Sequence, residues 1–163
     1  MKHCIIMRGC SGSGKSTFAK LIAKELQSII VSADYYFSDQ YGNYNFDPMK
    51  LGAAHGKCFF NFQKAINNND NVIVDNTNAN VRDAQHYIEH AKDAGYNVCI
   101  IEMTCDLKTA SERNIHEVPE QTIDRHLQRI STQAFANDID VWQVDGTSAN
   151  MKQLASALIQ SIS

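Results

Sequence analysis

Apolar residues in this chain gather into short runs separated by amphipathic stretches, and the two kinds of segment alternate from one end to the other. The runs are Cys4 to Met7, Ile29 to Ser32, Asn71 to Asp75, Tyr96 to Met103 and Val141 to Val144. Their length and β-branched content predict strands, and Val72-Ile73-Val74 has no polar break, as a strand covered on both faces requires. Between them, apolar positions at helical spacing predict helices over Ser16–Leu26, Asp47–Asn67, Val81–Ala94, Leu107–Asn114, Glu120–Gln133 and Ser148–Ile162. Asp47-Pro48 supplies an N-cap and a first-turn proline, and Gly95 a C-terminal stop. Strictly alternating strands and helices predict an α/β three-layer sandwich with about five parallel strands, right-handed crossovers and helices on both faces. We expect one domain over residues 1–163.

The junction between the first strand and first helix carries Gly9-Cys10-Ser11-Gly12-Ser13-Gly14-Lys15-Ser16-Thr17. In a G-x-x-x-x-G-K-S loop the glycines let backbone N–H groups turn inward around phosphate oxygens, and the helix N-terminus adds partial positive charge. Gly12, Ser13, Gly14, Lys15, Ser16 and Thr17 are therefore the expected triphosphate cradle. Lys15 would reach the β- and γ-phosphates, and Ser16 would offer its hydroxyl to Mg²⁺.

Ligands of open α/β sheets bind beyond the carboxyl ends of the strands, so residues just after each run are the next candidates. Asp34 follows the second run and suits either a general base for an attacking hydroxyl or a turn cap. Asp75 closes the third run, where it would hold Mg²⁺ or the acceptor; Asn78 and Asn80 are better placed to cap the next helix. The segment 107–133 reads as a helical lid carrying Arg113, with Arg125 and Arg129 on one helical face beside Glu120 and Asp124. Ser38 to Phe46 reads as an exposed loop in which Tyr41 and Tyr44 either stack on a base or, as we expect, cover the core edge. His55 reads as a half-buried surface histidine, and His86 and His90 as solvated. The turn Asp145-Gly146-Thr147 would bring backbone to an adenine.

Composition narrows the picture modestly. With 44% hydrophobic and 20% charged residues the chain is an ordinary globular sequence. A net charge of −3 argues against a surface gripping long nucleic acid, while leaving a local basic groove open. The apolar runs are too short for a bilayer span and no signal-type segment precedes the first strand, so a cytoplasmic location and no membrane partner are expected. Five cysteines without a C-x-x-C pair favour neither disulfides nor zinc. Cys10 lies near a helix N-terminus, which can lower a thiol pKa, but a spacer role is the expected one.

With these residues laid out, the chain resembles the P-loop kinase family that includes the 5′-kinase domain of phage polynucleotide kinase. The shared marks are the loop at 9–17, Ser32-Ala33-Asp34, Asp75-Asn76-Thr77-Asn78 and Arg113-Asn114. A branch of predicted kinases in that family also shares Phe46-Asp47-Pro48, Ala54-His55, and Arg113-Asn114-Ile115-His116 with Val118-Pro119. The resemblance implies ATP and Mg²⁺ as cofactors, with Lys15, Asp34 and Arg113 as the catalytic residues: Asp34 the base, Arg113 the lid arginine. It further implies that Asp75, Thr77 and His55 belong to the acceptor side, with Ser16 and Asp75 at the metal. The expected reaction is phosphorylation of the 5′-hydroxyl of an RNA or DNA end or a nucleotide. A nucleoside-monophosphate or small-metabolite kinase and a nucleotide-binding NTPase switch are the alternatives. Two departures stand out: Phe37 replaces an arginine that grips the acceptor's phosphate in the phage enzyme, and Glu117 replaces a glycine usual in the closer branch.

Overall fold

The computed structural model describes residues 1–163. Strands β1 (His3–Arg8), β2 (Ser28–Val31), β3 (Asn71–Asp75), β4 (Asn97–Thr104) and β5 (Asp140–Asp145) form one parallel sheet in the order β2-β3-β1-β4-β5. β1 is central and buried along its whole length. Side chains alternate across the sheet, so Cys4 and Ile6 face one core while Ile5 and Met7 face the other.

Helices α2 (Leu51–Asn67) and α3 (Val81–Asp93) close the first face through Phe62, Tyr87 and Ile88. Helices α1 (Lys15–Leu26) and α6 (Met151–Ile162) close the second through Phe18, Ile22, Ala155 and Leu158. Helices α4 (Leu107–Arg113) and α5 (Glu120–Thr132) stand over the carboxyl end of the sheet, rooted by Ala110 and Ile123 against Cys10 of the phosphate loop. No helix is long and apolar enough to cross a membrane.

The element order follows the hydrophobic pattern, with differences at helix starts. Asp47 does cap a turn, accepting from the Met49 amide at 3.0 Å, but that turn is a 3-10 segment, Pro48–Lys50, and α2 begins after it. Helix α6 starts at Met151, not Ser148, because Asp145 draws the Thr147 amide and hydroxyl onto its Oδ1 at 2.8 and 2.7 Å and holds the chain in a turn. Helix α3 is amphipathic, not solvated throughout, and His86 and His90 lie against the Phe59 ring. Asn80 occupies the N-cap position of α3 without making a cap bond. The Val81 amide donates to Gln133 Oε1 at 2.9 Å instead, and Asn78 is buried with its Nδ2 on the Met7 carbonyl at 2.8 Å.

One buried side chain ties the site end of the sheet together. Arg8, at the end of β1, donates to Glu102 Oε1 at 2.8 Å and to the carbonyls of Asn78 (3.0 Å), Ala79 (2.6 Å) and Gln133 (2.8 Å). Its guanidinium also lies over the Phe135 ring. A buried arginine is tolerated only with its donors satisfied, and here the satisfying groups come from β4, the loop after β3 and the exit of α5.

Candidate active site

Parallel register puts the ends of β1 and β3 side by side, with Met7 opposite Asp75, so the phosphate loop leaves β1 next to that carboxylate. The Gly9 amide donates to the Thr77 carbonyl at 3.0 Å and fixes the loop's entry. Gly12 has φ +80, and a Cβ there would overlap the Ala110 carbonyl of α4. The loop can pass α4 at that distance only without a side chain.

Asp75 is buried and gathers the cradle's two side chains: Lys15 Nζ lies 2.8 Å from its Oδ1, and Ser16 Oγ donates to its Oδ2 at 2.8 Å. The amides of Gly14, Lys15, Ser16 and Thr17 reach no backbone acceptor, and Ser13 Oγ is buried without a partner. Unsatisfied donors around a lysine and a helix N-terminus fit a polyphosphate. A serine hydroxyl beside a carboxylate fits Mg²⁺, a hard cation that takes one or two carboxylates and fills its shell with phosphate and water. No group of three His, Cys, Asp or Glu side chains occurs that could hold a metal by itself.

Cys10 is a spacer between the loop and the α4–α5 pair. Burial pushes its thiol up to about 11, the reverse of activation by a helix N-terminus.

Asp34 opens a 3-10 turn, Ala33–Phe37, after β2. The turn is held twice: Ser32 Oγ accepts from the Asp34 amide at 3.2 Å, and Asn76 Oδ1 accepts from the Ala33 amide at 2.9 Å. Asn76 thus fixes the backbone that carries Asp34, a role the sequence motif did not disclose. The Asp34 carboxylate is exposed and accepts from the Tyr44 hydroxyl at 3.3 Å.

Two clefts meet here. One, of about 510 Å³, runs along the phosphate loop past Arg113, Gly146 and Met151. A larger one, about 840 Å³, continues past His55, Asn76, Arg82 and Arg129. Asp34, Tyr44, Thr77, His116, Val118 and His126 line both and form their boundary. His55 is exposed, not half-buried, and lines the larger cleft. Of the three arginines of α4 and α5, Arg113 reaches the phosphate-loop cleft and Arg129 the larger one. Arg125 lines neither of these clefts and bonds to Thr122. The Arg113 guanidinium donates to the Gly146 carbonyl at 2.7 Å, which ties α4 to the turn after β5. Tyr41 is solvent-exposed, whereas Tyr44 packs on the core edge and lines both clefts, with His116 beside it.

Between α4 and α5, Asn114 organises the connection by accepting from Ser11 Oγ (3.1 Å) and the Val118 amide (3.2 Å) and donating to the Val118 carbonyl (2.6 Å). Glu117 sits in this tight loop at φ +54, in the left-handed region that explains the glycine usual in similar chains. Glu117→Gly should relieve about 1 kcal/mol of backbone strain and lose roughly half of that to unfolded-chain entropy. A thermal melt should show Tm rising by about 2 °C. A fall in Tm would mean that Glu117 is not strained.

A phosphate loop between the central strand and its helix, an aspartate across the sheet edge and a helical pair above them define a kinase-like P-loop domain. The chain belongs to the family described as AAA domain, whose model matches residues 4–136. Human NEDD4-binding protein 2 is 32% identical over 133 residues, covering 76% of this chain and 7% of that protein. "Putative bifunctional polynucleotide phosphatase/kinase" of Acanthamoeba polyphaga mimivirus is 31% identical over 96 residues, 59% of this chain and 19% of the viral protein. The chain thus spans less than a fifth of either relative. Among solved structures, a chain of the Pnkp1/Rnl/Hen1 RNA repair complex superposes with a TM-score of 0.67 at 21% identity, over 80% of this chain and 44% of that one.

Proposed function

We propose that this chain is an ATP- and Mg²⁺-dependent phosphotransferase that phosphorylates the 5′-hydroxyl of a nucleic acid or nucleotide. The observation that carries the reading is Asp34 on the boundary between the phosphate-loop cleft and the larger cleft, where a donor's terminal phosphate would meet an acceptor hydroxyl. In this reading Lys15, the loop amides and Ser16 hold the triphosphate, and Asp34 takes the acceptor's proton as its oxygen bonds to the γ-phosphorus and ADP leaves. Ser16 and Asp75 would hold Mg²⁺, which neutralises charge on the phosphate oxygens. Arg113, within the lid at about 107–133, supplies positive charge over the phosphates once it leaves the Gly146 carbonyl. The larger cleft, with His55 and Thr77 on its walls, takes the acceptor. The similarity to a viral polynucleotide phosphatase/kinase supports a polynucleotide acceptor.

One feature favours a second reading, a small-metabolite kinase: the phosphate-gripping arginine of the phage enzyme is here Phe37, buried and pointing its ring into a packed aromatic group. Transfer from γ-labelled ATP to a panel of 5′-hydroxyl RNA, 5′-hydroxyl DNA, nucleosides and small alcohols separates the two. Label on the RNA, DNA or nucleoside 5′ position is expected. Label confined to small alcohols would replace the first reading by the second, and hydrolysis with no acceptor dependence would replace both by a nucleotide switch.

A further inference from the structure

Phe37 is in the place of a cationic residue, yet its ring has a different task. It packs edge-on against Tyr44 (6.2 Å between centroids) and Phe46 (5.0 Å), beneath a loop closed by a Ser38–Tyr44 bridge and by the Asn45 amide on the Phe37 carbonyl at 2.9 Å. Asp39 fastens the far end, accepting from the Tyr41 and Asn43 amides at 2.8 and 2.9 Å. The loop over 38–46 is therefore a tied mount that presents Tyr44 to the boundary of the two clefts, with Phe46 on the wall of the larger one.

Tyr44 makes two contacts of different kinds. Its hydroxyl donates to Asp34 Oδ1, while Asp34 Oδ2 has no protein donor. Its ring lies 4.0 Å, centroid to centroid, from the His116 imidazole, tilted by 51°. His116 belongs to the α4–α5 connection, held by Asn114 only two residues away, and its Nδ1 is buried without a partner. Burial and the neighbouring Asp34 charge push the Tyr44 hydroxyl up to about 12, so it keeps its proton and remains a donor throughout the neutral range.

We infer that Tyr44 is a positioning residue that links the α4–α5 connection to Asp34: its hydroxyl sets the carboxylate's rotation and its ring takes the position of His116. This deepens the proposed function, on which the name "base" for Asp34 rests. A carboxylate with one oxygen occupied by Tyr44 offers the other to an incoming hydroxyl. The occupied oxygen stays in register only while His116 supports the ring. Seating of the α4–α5 connection and orientation of the base are then coupled through one side chain.

Two measurements test this on the intact chain. In steady-state phosphotransfer, Tyr44→Phe keeps the ring and loses the hydroxyl; kcat should fall about tenfold with KM for ATP changed less than about twofold. His116→Ala should lower kcat comparably, His116→Phe should restore most of it, and Tyr44→Phe/His116→Ala should be no worse than the poorer single variant. Independent effects that multiply, or a Tyr44→Phe enzyme with wild-type kcat, would overturn the inference. Hydrogen exchange of the free protein reads the link without turnover. His116→Ala should speed exchange in 38–46, and Tyr44→Ala should speed it in 114–118, whereas unchanged exchange in both segments would overturn the link. If the wild type transfers phosphate to no acceptor, the proposed function fails, and exchange still decides whether the two loops are joined.

Discussion

Asp34→Asn is expected to lower phosphotransfer by about 10²- to 10⁴-fold, the usual worth of a positioned general base. The isosteric amide removes proton-accepting capacity and keeps the shape. Its oxygen can still accept from Tyr44, and the Ser32 and Asn76 bonds that hold the turn involve backbone amides that the substitution leaves untouched. Because the side chain is exposed, stability should move by less than about 0.5 kcal/mol. ATP affinity should also hold, since Lys15, Ser16 and Asp75 lie on the other side of the boundary. Single-turnover rates with saturating ATP, nucleotide titration and a thermal melt together decide the matter. Full turnover with normal ATP binding would remove Asp34 from the base role.

The second large effect is expected at a residue that carries no chemistry. Gly146→Ala should cost about 3 kcal/mol or more, lowering Tm by about 6–12 °C, and should weaken ATP binding at least tenfold. A Cβ at this position would overlap the Ser13 carbonyl and crowd the Thr104 carbonyl. Both are backbone, and neither can swing aside as a flexible side chain would. Thr104 is further held because its carbonyl accepts from the Gly146 amide at 2.7 Å. Relief must come from moving the phosphate loop or the turn after β5, and that turn also receives Arg113. Calorimetric titration with ATP and a melt measure the two losses. Wild-type values in both would mean that the turn and the loop are not in contact in solution.

Much of this site could be read along the chain because its parts obey local rules. A phosphate loop declares itself by spacing, and alternating strands and helices assign every strand's carboxyl end to one edge, so Asp34 and Asp75 fall there by pattern alone, while Arg113, at the end of a helix, is reached only through the lid reading. What local rules omit is side chains acting on distant backbone. Asn76 holds the amide of Ala33 across 43 positions, and Arg8 reaches carbonyls 70 and more positions away. Nothing about an asparagine or an arginine in isolation discloses such a partner. Tyr44 reads along the chain as a loop tyrosine that covers the core edge, which it does. Its place at the boundary depends on Phe37 being buried under it, a packing fact with no sequence period. Helix starts drifted for a related reason: Asp145 and Asp47 bond to nearby amides and hold turns where periodicity alone would extend a helix.

The buried Arg8 bears on how the lid would travel. Helix α5 has 13 residues and is therefore about 20 Å long. Its exit at Gln133 shares one guanidinium with the loop after β3 and with Glu102, whereas its entry at Pro119 follows the loop that carries His116. The helix is thus held at its exit by a buried cation and near its entry by Ile123, which packs on Cys10 and Ala110, so the entry moves only if that small apolar cluster gives. Tilting α5 by about 10° about Gln133 would carry the Glu120 end through about 3.5 Å, taking the helix length from its rise per residue. The loop holding His116 thus sits at the end with the long arm, and the wall of the larger cleft near Arg129 sits close to the fulcrum. His116, Val118 and His126 line both clefts, so such a tilt would move a wall of each together, and the part of the larger cleft near Arg129 would move least.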